Sequence, residues 1–90
     1  MTCLANPGAN GVSPTIFTAS GFRFYFFSRE ERRMHVHVWS PDGEAKFWLE
    51  PDIALAHNHG LAAHRLRRAQ DLVNEHASEI CLAWKTHFGG

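Results

Sequence analysis

Apolar and polar residues alternate along residues 34–49, in two runs separated by the turn-forming residues 40–43. Successive side chains of a strand point to opposite faces of a sheet, so this alternation predicts two antiparallel strands joined by a turn. One face would carry Met34, Val36, Val38, Ala45, Phe47 and Leu49. The other would carry His35, His37, Trp39, Lys46, Trp48 and Glu50. The pattern therefore predicts a core face and a solvent-accessible face that is a candidate functional site.

The register of this hairpin depends on its loop. A loop of residues 40–43 places His37 opposite Lys46 and His35 opposite Trp48, whereas a bulged three-residue loop would place Val38 opposite Lys46. We favour the first register, because every cross-strand pair then stays on one face.

An earlier hairpin is predicted from residues 15–19 and 22–28, joined at Ser20 and Gly21, where glycine can adopt a positive φ. Phe22, Phe24 and Phe26 would lie on its core face, and Arg23, Tyr25 and Phe27 on the other. Residues 1–13 hold turn formers without an apolar period, and we expect them to be a flexible, dispensable tail. Residues 14–90 then form a single domain.

After Leu49 the apolar period lengthens, which favours helices. Pro51 suits the first turn of a helix and Gly60 suits its end, so we expect a short helix over residues 51–59. A long C-terminal helix over residues 62–88, about 40 Å in length, is predicted from Leu66, Ala69, Val73, Ala77, Ile80, Trp84 and Phe88. The prediction is an α+β fold: a four-stranded antiparallel sheet of two hairpins, covered on one face by a short helix and a long C-terminal helix.

Charge and composition restrict the function further. The 90 residues have nine basic and nine acidic side chains, and a net charge of zero argues against bulk electrostatic binding of nucleic acid. We find no apolar run of membrane-spanning length and no secretion signal, and therefore expect a cytoplasmic protein. Cys3 and Cys81 are not expected to form a disulfide.

The polar face of the predicted sheet has the side chains that a metal-independent endoribonuclease needs. One imidazole can remove the 2′-hydroxyl proton, a second group can protonate the leaving oxygen, and a cation can stabilise the phosphorane. The catalytic candidates are Arg23, Tyr25, His35, His37 and Lys46. Trp48 could stack on a base, and no cofactor is required. The plain alternative is the solvated face that an antiparallel sheet commonly has.

Two arginine clusters are candidate binding residues, Arg32 with Arg33 before the histidine strand, and Arg65 with Arg67 and Arg68 near the start of the long helix. Cations near the start of a helix interact unfavourably with the helix dipole, at a cost of about 0.3–1 kcal/mol for each of the three arginines of the second cluster. Binding of phosphate or of an acidic partner would compensate, and so would ion pairs on a solvated helix face, such as Arg68 with Asp71.

His35 and His37 are also candidate metal ligands, with Glu50, His57 or His59 completing the shell. Zinc accepts such nitrogen and oxygen ligands. Histidine alternation alone is weak support for a metal, and we expect none.

The chain resembles a family of small bacterial proteins, domain of unknown function 4160. The matching segments are Ser13-Pro14-Thr15-Ile16-Phe17, Gly21-Phe22-Arg23-Phe24-Tyr25-Phe26-Phe27-Ser28, His35-Val36-His37-Val38, Gly43-Glu44-Ala45-Lys46-Phe47-Trp48-Leu49-Glu50-Pro51, Asn58-His59-Gly60-Leu61, Arg67-Arg68, Ala83-Trp84 and Phe88-Gly89. The resemblance implies a compact α+β domain that takes part in toxin–antitoxin pairs beside a small partner protein.

These observations lead to two functional hypotheses. The first is the effector component of a bacterial toxin–antitoxin pair, which acts on RNA through His35, His37 and Lys46 and binds a small antitoxin-like protein. The alternative is a non-enzymatic interaction module whose long helix or arginine clusters bind a partner protein.

Overall fold

The computed structural model describes residues 15–26 and 32–89, which form one antiparallel sheet and two helices. The strands are β1 (Thr15–Ala19), β2 (Phe22–Tyr25), β3 (His35–Ser40), β4 (Gly43–Trp48) and β5 (Ala54–His59), and the helices are α1 (Ala63–Glu75) and α2 (Ala77–Phe88). The strands follow one another across the sheet in chain order. The α+β class is confirmed, but the described sheet has five strands, not four. The predicted tail, residues 1–13, lies outside the described residues.

The β1–β2 hairpin turns at Ser20 and Gly21, as predicted. Both residues have positive φ, 53° and 83°. A two-residue turn with two positive φ angles matches the twist of the flanking strands, which explains why glycine occupies the second position.

The β3–β4 hairpin has the favoured register. Ser40 pairs with Gly43 across the turn, and His37 pairs with Lys46. The Ser40 hydroxyl accepts a hydrogen bond from the Asp42 amide at 3.2 Å, which closes the turn. The alternative register is wrong, because Val38 pairs with Ala45.

Strand β5 replaces the short helix predicted over residues 51–59. It pairs with the edge of β4 that does not face β3. Lys46 pairs with His57 and Phe47 pairs with Leu55, so the register shifts at a bulge between Lys46 and Phe47. Helix preferences of single residues amount to a few tenths of a kcal/mol, whereas pairing supplies partners for a whole row of β4 backbone groups. Gly43 permits the close approach, since a Cβ there would lie 2.5 Å from the His59 carbonyl oxygen.

The long predicted helix is divided at His76, whose φ of −106° and ψ of 17° separate α1 from α2. The His76 ring stacks on Phe17, with 4.2 Å between ring centroids, and its Nδ1 lies 2.9 Å from Glu79 Oε1. A straight helix of about 40 Å would exceed the longest dimension of the described chain, 35 Å. Both helices contribute side chains to the core that packs against the sheet.

The core lies between the helices and one face of the sheet, as the alternation predicted. Phe24, Val36, Val38 and Phe47 have no exposed surface. The helices contribute Ala69, Leu72, Val73, Ile80 and Trp84. Neither helix is long and apolar enough to cross a membrane.

Candidate nucleic-acid interface

The sheet face opposite the core side chains of β2, β3 and β4, here called the outer face, is arranged in rows by the strand register. Residues paired across neighbouring strands share a face, so each row can be read from the pairing. The Trp39 row consists of Thr18, Arg23, Trp39, Glu44 and His59. The His37 row consists of Thr15, Tyr25, His37, Lys46 and His57. The His35 row consists of His35, Trp48 and Ala54.

Lys46 lies at the centre of the His37 row, between two histidines. His37 of β3 and His57 of β5 each pair with it in register. At about 4.8 Å between strands, the two histidine backbones are about 10 Å apart, with the lysine between them. Tyr25 stacks on His37 with ring centroids 5.4 Å apart. The row thus brings two acid–base groups to either side of one cation.

Lys46 is more buried than we expected for a solvent-accessible face. Only 7% of its surface is exposed, and its Nζ lies 4.6 Å from the centre of the Trp48 ring. The long aliphatic stem of a lysine can be covered by neighbours while its ammonium group lies at a surface. The register was predicted correctly, and the exposure of this residue was not.

His35 is likewise buried, with 2% of its surface exposed, which corrects its expected accessibility. Its Nδ1 lies 2.7 Å from the carbonyl oxygen of Arg33, and because a carbonyl can only accept, this nitrogen carries the proton. Its ring makes edge contacts with His37 and Trp84, at centroid distances of 5.1 and 5.2 Å. His35 can therefore position His37 but does not present a surface for a substrate.

Two arginines lie over rings of the outer face. The guanidinium carbon of Arg23 is 4.5 Å from the Tyr25 ring centre, and that of Arg33 is 4.1 Å from the Trp48 ring centre. Arg33 also donates from Nε to the Glu50 carbonyl at 2.9 Å. Such contacts contribute about 0.5–1 kcal/mol at exposed sites and hold both the cation and the ring in place.

The arginines of α1 do not join the outer face. Arg65 and Arg68 donate to the Ser20 carbonyl and hydroxyl oxygens, at 3.2 and 3.3 Å, and so anchor the β1–β2 turn. Arg65 lies over the core ring of Phe22, and Arg68 pairs with Glu75 at 3.9 Å rather than with Asp71.

The remaining two predicted binding arginines are exposed, Arg67 on α1 and Arg32 before β3. The structure thus gathers Arg23, Tyr25, His35, His37, Lys46, Trp48 and Arg33 on one face.

Sequence reasoning missed several members of the outer face. His57 and His59 fall within the helix predicted over residues 51–59, because residues 54–59 have no apolar–polar alternation that would indicate a strand. Trp39 was placed on the correct face but given no role. Over residues 15–26 and 32–89, no three histidine, cysteine or acidic side chains are grouped closely enough to hold a metal ion.

Comparison with known proteins identifies the family and nothing beyond it. No curated protein and no solved structure matches the chain significantly. A family model described as "Domain of unknown function (DUF4160)" matches residues 21–85, which include β2 to β5, α1 and most of α2. Because this match covers well over half of the chain, the protein belongs to the DUF4160 family.

Proposed function

We propose that this protein binds RNA on its outer face and cleaves it without a metal ion, as the effector of a bacterial toxin–antitoxin pair acting in the cytoplasm. One observation carries the proposal: His37, Lys46 and His57 form a row across three neighbouring strands. Imidazole changes its charge near neutral pH, so two of them can serve as base and acid in the same reaction.

The reaction would proceed by attack of the 2′-oxygen on the adjacent phosphorus. One imidazole takes the proton of the 2′-hydroxyl, the O–P bond forms, and the Lys46 ammonium stabilises the negative charge of the phosphorane. The bond to the 5′-oxygen then breaks, and the second, protonated imidazole donates its proton to this leaving oxygen. The products are a 2′,3′-cyclic phosphate and a 5′-hydroxyl, so atoms and charges balance without a cofactor.

The aromatic and basic residues around the row support binding of RNA rather than of a small phosphate ester. Tyr25 belongs to the His37 row and Trp48 to the neighbouring His35 row, and each has an arginine over its ring. Rings and guanidinium planes are the groups on which proteins stack unpaired RNA bases. His35 acts in this arrangement as a positioning residue through its contact with His37.

The test is cleavage of a labelled single-stranded RNA in the presence of EDTA. The wild-type chain should produce fragments ending in a 2′,3′-cyclic phosphate, and an oligonucleotide with 2′-deoxyribose throughout should stay intact. His37→Gln and His57→Gln should each reduce the rate by about 100-fold or more, the usual contribution of an acid or base. His64→Gln, which changes an exposed histidine of α1, is the matched control and should cleave at the wild-type rate.

Equal rates for His64→Gln and the two row variants would refute the assignment, as would cleavage of the deoxy oligonucleotide. Activity lost in EDTA and restored by zinc would show a metal-dependent enzyme instead. In cells, expression of the wild-type chain should arrest growth, His37→Gln should not, and co-expression of the neighbouring gene product should relieve the arrest.

The second candidate is a non-enzymatic interaction module. Zero net charge favours it, and so does β5, which pairs only with β4 among the described strands and has Leu55 42% exposed. An open strand edge can add a strand from a partner protein. A tight complex with the neighbouring gene product, together with no RNA cleavage and no growth arrest, would establish this function in place of the first.

A further inference from the structure

Trp39 differs from the other large rings of the outer face, because its surface is open. It is 46% exposed, whereas arginine lies over Tyr25 and over Trp48. An exposed indole on an ordered strand is a large flat surface that remains available for stacking.

Trp39 also forms one wall of an open depression of about 380 Å³. The opposite wall is the end of the β1–β2 hairpin, and Arg23 lies between them as the cross-strand partner of Trp39. The volume falls within the range of about 300–1,000 Å³ typical of small-molecule sites. The Arg23 guanidinium extends from this depression toward the His37 row, where its carbon is 4.5 Å from the Tyr25 ring centre and its Nε donates to the Thr15 hydroxyl at 2.6 Å.

The hairpin end is held in place from the helix side. Arg65 and Arg68 donate hydrogen bonds to the carbonyl and hydroxyl oxygens of Ser20. Because these contacts join the turn to α1, the far wall of the depression is part of the folded scaffold and not a loop that must be ordered on binding.

From these observations we propose that Trp39 and Arg23 form a subsite for one unpaired base and its phosphate, and that the protein accepts single-stranded RNA. This inference rests on the proposed RNA function and names its substrate class. Trp39 lies two residues from His37 on β3, a separation of about 6.8 Å along a strand. That distance is comparable to one nucleotide step of an extended strand, so the stacked base would neighbour the phosphate at the His37 row.

Stacking explains the requirement for a single strand. In a duplex each base is already stacked on its neighbours, and its ring faces are inaccessible to an indole. In a single strand the bases can turn outward, and every base has a face to offer, so little sequence preference is expected.

The test uses an uncleavable probe, so that binding is measured apart from catalysis. A fluorescent 12-nucleotide 2′-O-methyl RNA of mixed sequence is titrated with the full chain, either single-stranded or annealed to its complement. The wild-type chain should bind the single strand at least tenfold more tightly. Trp39→Ala should weaken this binding about 10- to 100-fold, and Trp39→Phe, which keeps a ring, should retain most of it.

Leu82→Ala is the matched control, since Leu82 is a large apolar residue, 66% exposed, that belongs to α2 and not to a strand of the sheet. Its affinity should equal that of the wild type. Circular dichroism of each variant should show the wild-type fold, because Trp39 and Leu82 are both surface residues.

Equal binding of single-stranded and duplex RNA, or unchanged affinity of Trp39→Ala, would overturn the subsite, and so would the absence of any binding. These outcomes are distinct from failure of the proposed catalysis. A chain that binds the single strand through Trp39 but cleaves no RNA would keep the subsite and lose the ribonuclease.

Discussion

At the scale of single residues, His35 and His37 show how two similar positions acquire different roles. They alternate on the same strand and face, yet His35 is 2% exposed and His37 is half-buried. The difference comes from Trp84 of α2, which makes an edge contact with the His35 ring. A buried polar ring must have its hydrogen bonds satisfied, and the Arg33 carbonyl does this for Nδ1.

This difference predicts unequal effects on stability. His35→Ala should lower the free energy of unfolding by about 2–4 kcal/mol, because it leaves a cavity beside Trp84 and removes the hydrogen-bond partner of the Arg33 carbonyl. His37→Ala should lower it by roughly 1 kcal/mol or less, as expected of a residue nearer the surface. Urea unfolding of the two variants measures both values. Equal losses would show that the two histidines have the same structural role.

At the scale of secondary structure, β5 is the element whose identity depends most on its surroundings. Five of its six residues are exposed, so it lacks the alternation that marked β3 and β4. Its alanines and leucine favour a helix locally, and only the unpaired edge of β4 makes a strand preferable.

Because β5 is a strand, a substitution on its surface that favours strands should not lower the stability of the protein. Ala54 is exposed and pairs with Trp48 at the start of the strand. Ala54→Thr should leave stability unchanged or raise it by a few tenths of a kcal/mol, because β-branched residues favour strands. In a helix the same change would cost about 0.5 kcal/mol. The midpoint of urea unfolding of Ala54→Thr distinguishes a strand from a helix at this position. A midpoint clearly below that of the wild type would contradict the strand.

At the scale of the whole molecule, the charge is balanced overall but distributed unevenly. The outer face has Arg23, Arg33 and Lys46 against one acidic member of its rows, Glu44, while Arg65 and Arg68 are engaged at the β1–β2 turn. Neutrality therefore does not prevent a local site for an anion, although it limits the number of phosphates that the protein can contact.

The dependence of RNA affinity on salt concentration should show which basic side chains contact the RNA. Three phosphate contacts would give a slope of about −2 for the logarithm of affinity against the logarithm of salt concentration, since each contact with a single strand contributes about −0.7. Arg33→Gln should reduce the slope by about 0.7, and Arg67→Gln, on the exposed side of α1, should not change it. Titrations between 50 and 200 mM KCl measure the slope. If Arg67→Gln changes the slope and Arg33→Gln does not, the RNA binds on the helix side of the protein and not on the outer face.

Local patterns in the sequence were sufficient for the two hairpins, the register of His37 with Lys46, and the division of the sheet into a core face and an outer face. The reason is that strand alternation and positive-φ turn residues act over a few positions of the chain. The same local information predicted that the helix begins at residue 62, one residue before the observed start of α1 at Ala63.

Tertiary contacts decided the remainder. The pairing of β5 with β4 placed His57 beside Lys46, the contact of His76 with Phe17 accompanies the break between α1 and α2, and Trp84 buried His35. The contacts of His76 with Phe17 and of Trp84 with His35 join residues far apart in the chain. The β4–β5 pairing joins nearer segments, but residues 54–59 have no apolar–polar alternation that would indicate a strand. The sequence by itself determined which side chains could share a face, and only the packed structure determined which of them a substrate can reach, because access depends on what the rest of the chain covers.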